Sequence, residues 1–387
     1  MRFKYLIVII IIIQSCQSKD INFDNFEFVV ENSIKFSNDQ YSLNNFDFRG
    51  INDSLIYAYD IMKAVVFKFD SKGNLIKQNR FQNSENEINL QFIGDIFPIN
   101  KDSILILDNG YGNLLLLNSD LKLINSWNIS KLTKENLYVG GNRSQIVNFE
   151  NVNKEPEITI VAGDGNYFMS EKIYFDNSFL AIKVNLNSGT YKPLFKYPYE
   201  SPYRNNLFWS DESPYFIFDE GNYYVSFPFD PNVYVFTEDS DSYEIINYTG
   251  SLKKHGTGVE FGMNQSEFLA NHMIYVQYVN NDYNLISKSL YKNSQKKYFV
   301  RVVRKAINSD VGIKDINTFA IESPKQDFII QIVDLDQKEP FLWREYKLPE
   351  FYRNFTFTDK NGKFYFNKRN DDSEEYNIDI IDWSFND

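Results

Sequence analysis

Cysteine is all but missing from this chain: Cys16 is the single one among 387 residues. No intramolecular disulfide can staple the fold, so stability has to come from burial. Histidine is nearly as scarce. The two present, His255 in KKHGTG and His272 in LANHMIY, lack the spacing of zinc ligands, and neither a metal nor another cofactor is expected. No Gly-x-Ser-x-Gly elbow occurs, and no Gly-rich loop ends in Gly-Lys-Ser or Gly-Lys-Thr, which leaves the hydrolase nucleophile and the phosphate cradle without support. Basic residues are outnumbered as well, 40 Lys and Arg against 52 Asp and Glu, for a formal net charge of −12. Such a surface repels nucleic acid and gains nothing from an anionic bilayer, so no nucleic-acid partner is expected.

Long apolar runs are also lacking. The longest, residues 5–13, follows Arg2 and Lys4 and gives way to Gln14, Ser15 and Cys16, the plan of a signal peptide. Nine residues at about 1.5 Å rise cover about 14 Å, half of a hydrocarbon core about 30 Å thick, so the run is too short to span. Ile13-Gln14-Ser15-Cys16 resembles a lipobox, whose order is aliphatic, variable, small, cysteine. The resemblance implies cleavage before Cys16 and lipid on that residue, making the membrane a partner. Residues 1–15 then form the leader, 16–25 a lipidated tether and 26–387 a single domain. Losing Arg2 and Lys4 with the leader takes the formal charge from −12 to −14.

Aliphatic and aromatic residues are abundant: 43% of the chain is hydrophobic and 17% aromatic, enough for a large core. They come in runs of about five, broken by Asn, Asp, Gly and Ser, with little helical periodicity. Residues 26–30, 55–59, 65–69, 104–107, 114–117, 223–227, 233–236, 328–333 and 364–366 read as strands. Turn chemistry punctuates them in SKGN at 71–74, NGYGN at 109–113, GDGN at 163–166, EGN at 220–222 and KNG at 360–362. Short helices are expected at 130–137 and after Asn264, where Asn264 and Glu267 have capping-box spacing.

The segment starting at Asp53, DSLIYAYDIMKAVVFKFDSKGNLIKQNRF, can be laid on DSILILDNGYGNLLLLNSDLKLINSW, starting 49 residues later at Asp102. Looser copies start at Glu220 and Asn361, and residues 130–171 read as an insertion. A four-strand unit recurring every forty to fifty residues is the signature of propeller blades, so the expected fold class is all-β, a β-propeller of the TolB/NHL-like kind behind a lipoprotein signal peptide; a strict 49-residue period would give seven or more blades, and with the insertion and uneven loops a six-bladed ring fits best. The unit FKFDSKGNLIKQNRF at 67–81, the segment SPYFIFDEGNYYVSFPFDPNVYVF at 213–236 and KKYFVRVVRK at 296–305 resemble the Bacteroidetes lipoproteins grouped as domain of unknown function 4221. The resemblance spans nearly all of the mature chain and implies a six-bladed propeller-like body. It brings no catalytic residues with it. NSENEINLQ at 83–91 departs from the Gly-rich acidic turn common in that group.

Gln17-Ser18-Lys19-Asp20 resembles in part the charged tether of surface-exposed Bacteroidetes lipoproteins. The expected location is the cell envelope, as an outer-membrane lipoprotein, with the periplasmic and the outer face both open. Ligand chemistry points to the aromatics, above all YPYESPYRNNLFW at 197–209, where flat rings beside a guanidinium suit sugar or peptide. Tyr203, Arg204, Trp209, Tyr215 and Arg301 are the candidate ligand residues; with 27 Tyr and 35 Phe to place, ordinary core packing is the competing reading. Acidic clusters at Asp239, Asp241 and Glu244 and at 371–375 read as solvated turns before calcium loops. Asp53-Ser54-Leu55 and Asp102-Ser103-Ile104 match an O-glycosylation pattern and are also ordinary turn chemistry. Three functions follow: a binding or scaffold propeller for a protein, peptide or glycan; a carbohydrate-active enzyme with carboxylates in the central channel, although the sialidase repeat Ser-x-Asp-x-Gly-x-Thr-Trp is missing; and a structural subunit of an envelope complex.

Overall fold

A computed structural model describes residues 26–385 apart from 37–45, 53–54, 82–89, 110–111, 140–143, 153–154, 168–170, 206, 210–212, 241, 251–258, 261–283, 293–295, 307–326, 338, 350–351, 359–362 and 369–375. Cys16 and its tether, most of 83–91, His255, His272, the helix expected after Asn264 and the acids at 371–375 lie outside the described residues.

Six four-stranded antiparallel sheets form the blades of a propeller. Blade 1 is Phe46–Asn52, Leu55–Asp60, Val65–Asp70 and Leu75–Arg80; blade 2 is Ile93–Asn100, Ser103–Asp108, Asn113–Asn118 and Leu123–Asn128. Blade 3 is Ile146–Val152, Glu155–Val161, Phe179–Asn185 and Tyr191–Lys196; blade 4 is Tyr215–Asp219, Asn222–Ser226, Val233–Thr237 and Tyr243–Ile246. Blade 5 is Asn284–Lys292, Lys297–Arg304, Phe328–Asp334 and Trp343–Lys347. Blade 6 takes Tyr352–Thr358, Phe364–Lys368 and Tyr376–Phe385 from the end of the chain and its fourth strand, Phe26–Phe36, from the beginning. The first strands of blades 1, 2, 3 and 4 touch in sequence, as do those of blades 5, 6 and 1, so they form the inner wall.

Each seam between neighbouring blades holds its own hydrophobic cluster. Both faces of a strand are therefore buried. In blade 5, Val300 and Val302 pack towards blade 6 while Phe299 packs towards blade 4. This two-sided burial is why the strands read as unbroken apolar runs instead of alternating. Salt bridges reinforce the seams from outside: Lys183 of blade 3 reaches Glu238 of blade 4 at 3.0 Å while also meeting Glu150 and Glu157 of its own blade.

Closure is sewn by polar groups. Ser33 on the first strand donates to Asp379 on the last at 2.5 Å, and Tyr352 donates to the same buried carboxylate at 2.5 Å. Blade 1 docks on this joint through Gly73, whose φ of +86° suits the turn; a Cβ there would come within 2.5 Å of the Lys35 carbonyl oxygen.

The residues 130–171 prove to be more than an insertion, because blade 3's first two strands lie within them. The expected helix at 130–137 is shorter, Ile129–Thr133, and the chain continues as the strand Leu137–Tyr138, paired with Gly163–Asp164. Asn128 caps that helix by accepting from the Lys131 amide, and Ile129 and Leu132 wedge between blades 2 and 3. A second helix, Lys172–Asn177, carries no sequence signature and is set by the burial of Tyr174 and Phe175.

Antiparallel order also sorts the connections. The first and third turns of every blade lie at one end of the ring, and the second turn and the link to the next blade lie at the other. Turns at the first end are short, such as 71–74, 101–102, 119–122 and 220–221. The long connections, 129–145, 162–178, 197–214, 247–283 and 305–327, all start and finish at the second end.

Candidate functional site

The five candidate ligand residues separate into three environments. Tyr203 and Trp209, at 0% and 2% exposure, are core side chains of the seam between blades 3 and 4. Tyr203 packs on Phe175, Tyr197, Phe227 and Trp209, and its hydroxyl accepts from the Phe229 amide. Trp209 stacks on Phe229 and donates its indole N–H to the Pro202 carbonyl at 3.1 Å. Tyr215, half-buried on the inner strand of blade 4, packs near Val303. None of these three rings lies with Arg204 in one surface.

Arg301, at 1% exposure, is enclosed by blades 4 and 5. Its Nε donates to Gln331 Oε1 at 2.7 Å and an Nη donates to the Pro231 carbonyl at 2.6 Å. The guanidinium lies 4.5 Å from the centre of the Trp343 ring and 5.6 Å from that of Tyr248. Gln331 passes the chain on to buried Glu345, which also accepts from the Tyr248 hydroxyl. Strand register explains the row, since Arg301, Gln331 and Glu345 are directly opposite one another on three adjacent strands. The sequence could show Arg301 inside an apolar strand but not the two partners that make burial tolerable. Its expected role as a ligand contact gives way to one inside the seam, because its donors are aimed at the protein's own groups.

Arg204 is the candidate that reaches the surface. One Nη donates to the Phe175 carbonyl at 3.0 Å, another lies 3.5 Å from Asp176, and the guanidinium sits 4.5 Å from the centre of the Tyr199 ring. Tyr199 is 78% exposed, so one face of its ring is braced by the cation and the rest is offered to solvent. Its amide donates to the Tyr243 hydroxyl at 2.9 Å, and that hydroxyl donates to Glu200 at 2.5 Å. Burial, together with the hydrogen bond to Glu200, pushes the Tyr243 hydroxyl pKa up and keeps it protonated.

At the same end is a small cleft of about 20 Å³, lined by Tyr138, Gly163, Tyr174, Tyr197, Ser213 and Pro214 among others. All six come from links or second turns, so the cleft opens at the long-connection end. The helix Lys172–Asn177 supplies both Tyr174 to the cleft and the Phe175 carbonyl to Arg204. Gly163 lets the two walls approach, since a Cβ would meet the Tyr174 hydroxyl at 2.7 Å. Tyr138, Tyr174 and Tyr199 were not singled out in the sequence. Tyr199 lies in the aromatic segment that was, while the other two carry no local signal.

Carboxylates at the inner wall are engaged in stitching blades together. Asp95 of blade 2 accepts from the Ile96 and Ile146 amides, both at 2.9 Å, and from Arg49 of blade 1 at 3.3 Å. Burial raises its pKa and the Arg49 charge opposes the rise. Gln145 continues the belt by bonding the backbone of Phe216 in both directions, at 2.7 and 3.0 Å. Among the described residues no group of three or more His, Cys, Asp or Glu is placed to hold a metal ion. Asp239 is paired with Lys192 at 3.4 Å on an exposed turn. No helix among them is long and apolar enough to cross a membrane.

No family model and no curated protein matches this sequence. Solved structures do match the fold. A member of the DUF4221 family from Bacteroides vulgatus superposes with a TM-score of 0.62 at 12% identity, over 94% of this chain and 99% of that one. An exported-protein candidate from Bacteroides fragilis gives a TM-score of 0.51 at 10% identity, over 96% and 98%. The chain is thus a six-bladed β-propeller similar in fold, along almost its whole length, to a DUF4221 protein.

Proposed function

We propose that this protein is a lipid-anchored propeller of the cell envelope that binds a glycan or peptide at the long-connection end of blades 3 and 4. The exposed Tyr199 ring, braced on one side by Arg204, carries the reading. A flat ring with few rotatable bonds loses little entropy on stacking against a sugar face or a side chain, and nearby hydroxyls and Glu200 supply directional hydrogen bonds. Anchoring rests on the lipobox around Cys16, so Cys16→Ser should move the protein from the membrane to the soluble fraction. A serine variant that still sediments with membranes would overturn the anchor.

Binding is tested with the mature protein on glycan and peptide arrays, followed by titration of any hit. Tyr199→Ala and Arg204→Ala should each weaken the hit about tenfold while Tyr199→Ala leaves the melting temperature in place. An unchanged affinity in both variants would move the site elsewhere. The rival reading, an enzyme using axial carboxylates, is disfavoured by the engagement of Asp95 with Arg49 and two amides. Product formation from any glycan in a turnover screen would restore it.

A further inference from the structure

The chain enters the propeller at the end of the ring opposite the cleft. Phe26 is opposite Phe385 and Phe36 opposite Tyr376, so the first strand starts at the short-turn end of blade 6 and runs towards the long-connection end. At the same short-turn end the outermost strands of blades 1 and 2 begin with paired aliphatic residues, Leu75-Ile76 and Leu123-Ile124, all four exposed and Ile76 and Ile124 more than half so. The two corners are neighbours: Lys77 reaches Asp120 at 3.1 Å, and Asn79 donates to the Leu121 carbonyl at 2.7 Å. Lys72 and Lys122, exposed in the adjoining turns, surround the aliphatic pairs with ammonium groups.

We propose that the short-turn end of the propeller rests on the lipid bilayer, with Leu75, Ile76, Leu123 and Ile124 in the headgroup region, so that the cleft of blades 3 and 4 faces away from the membrane. The inference rests on lipidation at Cys16. Ten residues, 16–25, separate the lipid from the first strand and reach about 35 Å when fully extended. The first strand has 11 residues and rises about 36 Å. A slack tether thus brings the short-turn end to the lipid, whereas bringing the cleft end down would require the tether to lie stretched along the whole wall. Exposed aliphatic pairs flanked by lysine suit an interface in which apolar tips enter the acyl boundary and ammonium groups stay with phosphates. The net negative charge of the chain means that apolar contact and the tether, not overall attraction, set the orientation.

The mature chain has no cysteine besides Cys16, so one introduced thiol reports one position. Lipidated full-length protein carrying Lys122→Cys or Glu171→Cys is labelled with a fluorophore and placed on phosphatidylethanolamine–phosphatidylglycerol vesicles containing a doxyl-lipid quencher. The label at 122 should be quenched several-fold more than the label at 171. Equal or reversed quenching in vesicle-bound protein overturns the orientation and leaves the anchor standing, whereas protein that stays off the vesicles overturns both. Replacing Leu75, Ile76, Leu123 and Ile124 together with serine, at exposed sites where folding is retained, should erase most of the difference. A difference that survives overturns the role of the aliphatic corners.

Discussion

Between blades 3 and 4 the space is filled by rings stacked on rings; between blades 4 and 5 it is filled around a guanidinium. In the first seam Phe195, Phe216, Tyr223 and Phe236 lie at centroid distances of 4.6 to 6.4 Å, and Tyr197, Tyr203, Trp209, Phe227 and Phe229 continue the stack. In the second, Trp343, Tyr248 and Phe299 surround Arg301 or pack beside it, with Gln331 and Glu345 completing its hydrogen bonds. The contrast bears on robustness. A ring seam loses transfer energy and gains a cavity when one member shrinks, whereas a charge seam leaves partners buried and unpaired when its cation goes.

The largest expected effect is therefore Arg301→Met, which leaves Gln331 Oε1 and the Pro231 carbonyl buried without their donor; it should cost about 4 kcal/mol in urea unfolding. Adding Glu345→Leu should recover part of that loss. A double variant as unstable as the sum of the singles would break the claim that Arg301 and Glu345 act as one unit. Gly73→Ala, at the joint of blades 1 and 6, forces a positive φ on alanine and a clash with the Lys35 carbonyl; a loss of about 2 to 3 kcal/mol is expected. Trp209→Phe, within the ring seam, should cost about 1 to 2 kcal/mol, because a ring still fills most of the space and only the bond to Pro202 is lost. A Trp209→Phe loss as large as that of Arg301→Met would erase the distinction between the two seams.

The smallest effect concerns pH. Burial pushes the Asp230 carboxyl up, against hydrogen bonds from Asn232 and Tyr234 and the charge of Arg301. The folded state then holds this proton more tightly than the unfolded chain does. The resulting stability is complete below about pH 4 and is lost as pH rises through the folded-state value. Asp230→Asn removes that dependence, so the stability of wild type relative to the variant should fall as pH is raised from about 4 to 7. A gap constant over that range, measured from urea midpoints, would show that Asp230 does not titrate differently on folding.

Strands and their repeat were legible because two-sided burial demands short aliphatic runs and the antiparallel meander demands polar turns between them. The alignment of 53–81 on 102–127 corresponds to the last three strands of blades 1 and 2. The copy at Asn361 is short for a physical reason: blade 6 takes its fourth strand from residues 26–36. The site was less legible. Tyr203 and Trp209 have the same composition and spacing as exposed stacking residues, and only packing against Phe227 and Phe229 tells them apart from Tyr199. Gly163 sat inside a recognised turn, GDGN, yet its use in admitting Tyr174 depends on a helix that no periodicity announced.

Closing the last blade with the first strand has a consequence in time as well as in space. Ser33 and Asp379 are 346 residues apart in sequence, so the bond that seals the ring joins a strand made early to one made late. During synthesis the strand Phe26–Phe36 must wait, its edge unpaired, until Tyr376–Phe385 has been made. A chain stopped short of that final strand would leave the first strand as an open sheet edge, suited to chaperones, proteases or another unfinished copy.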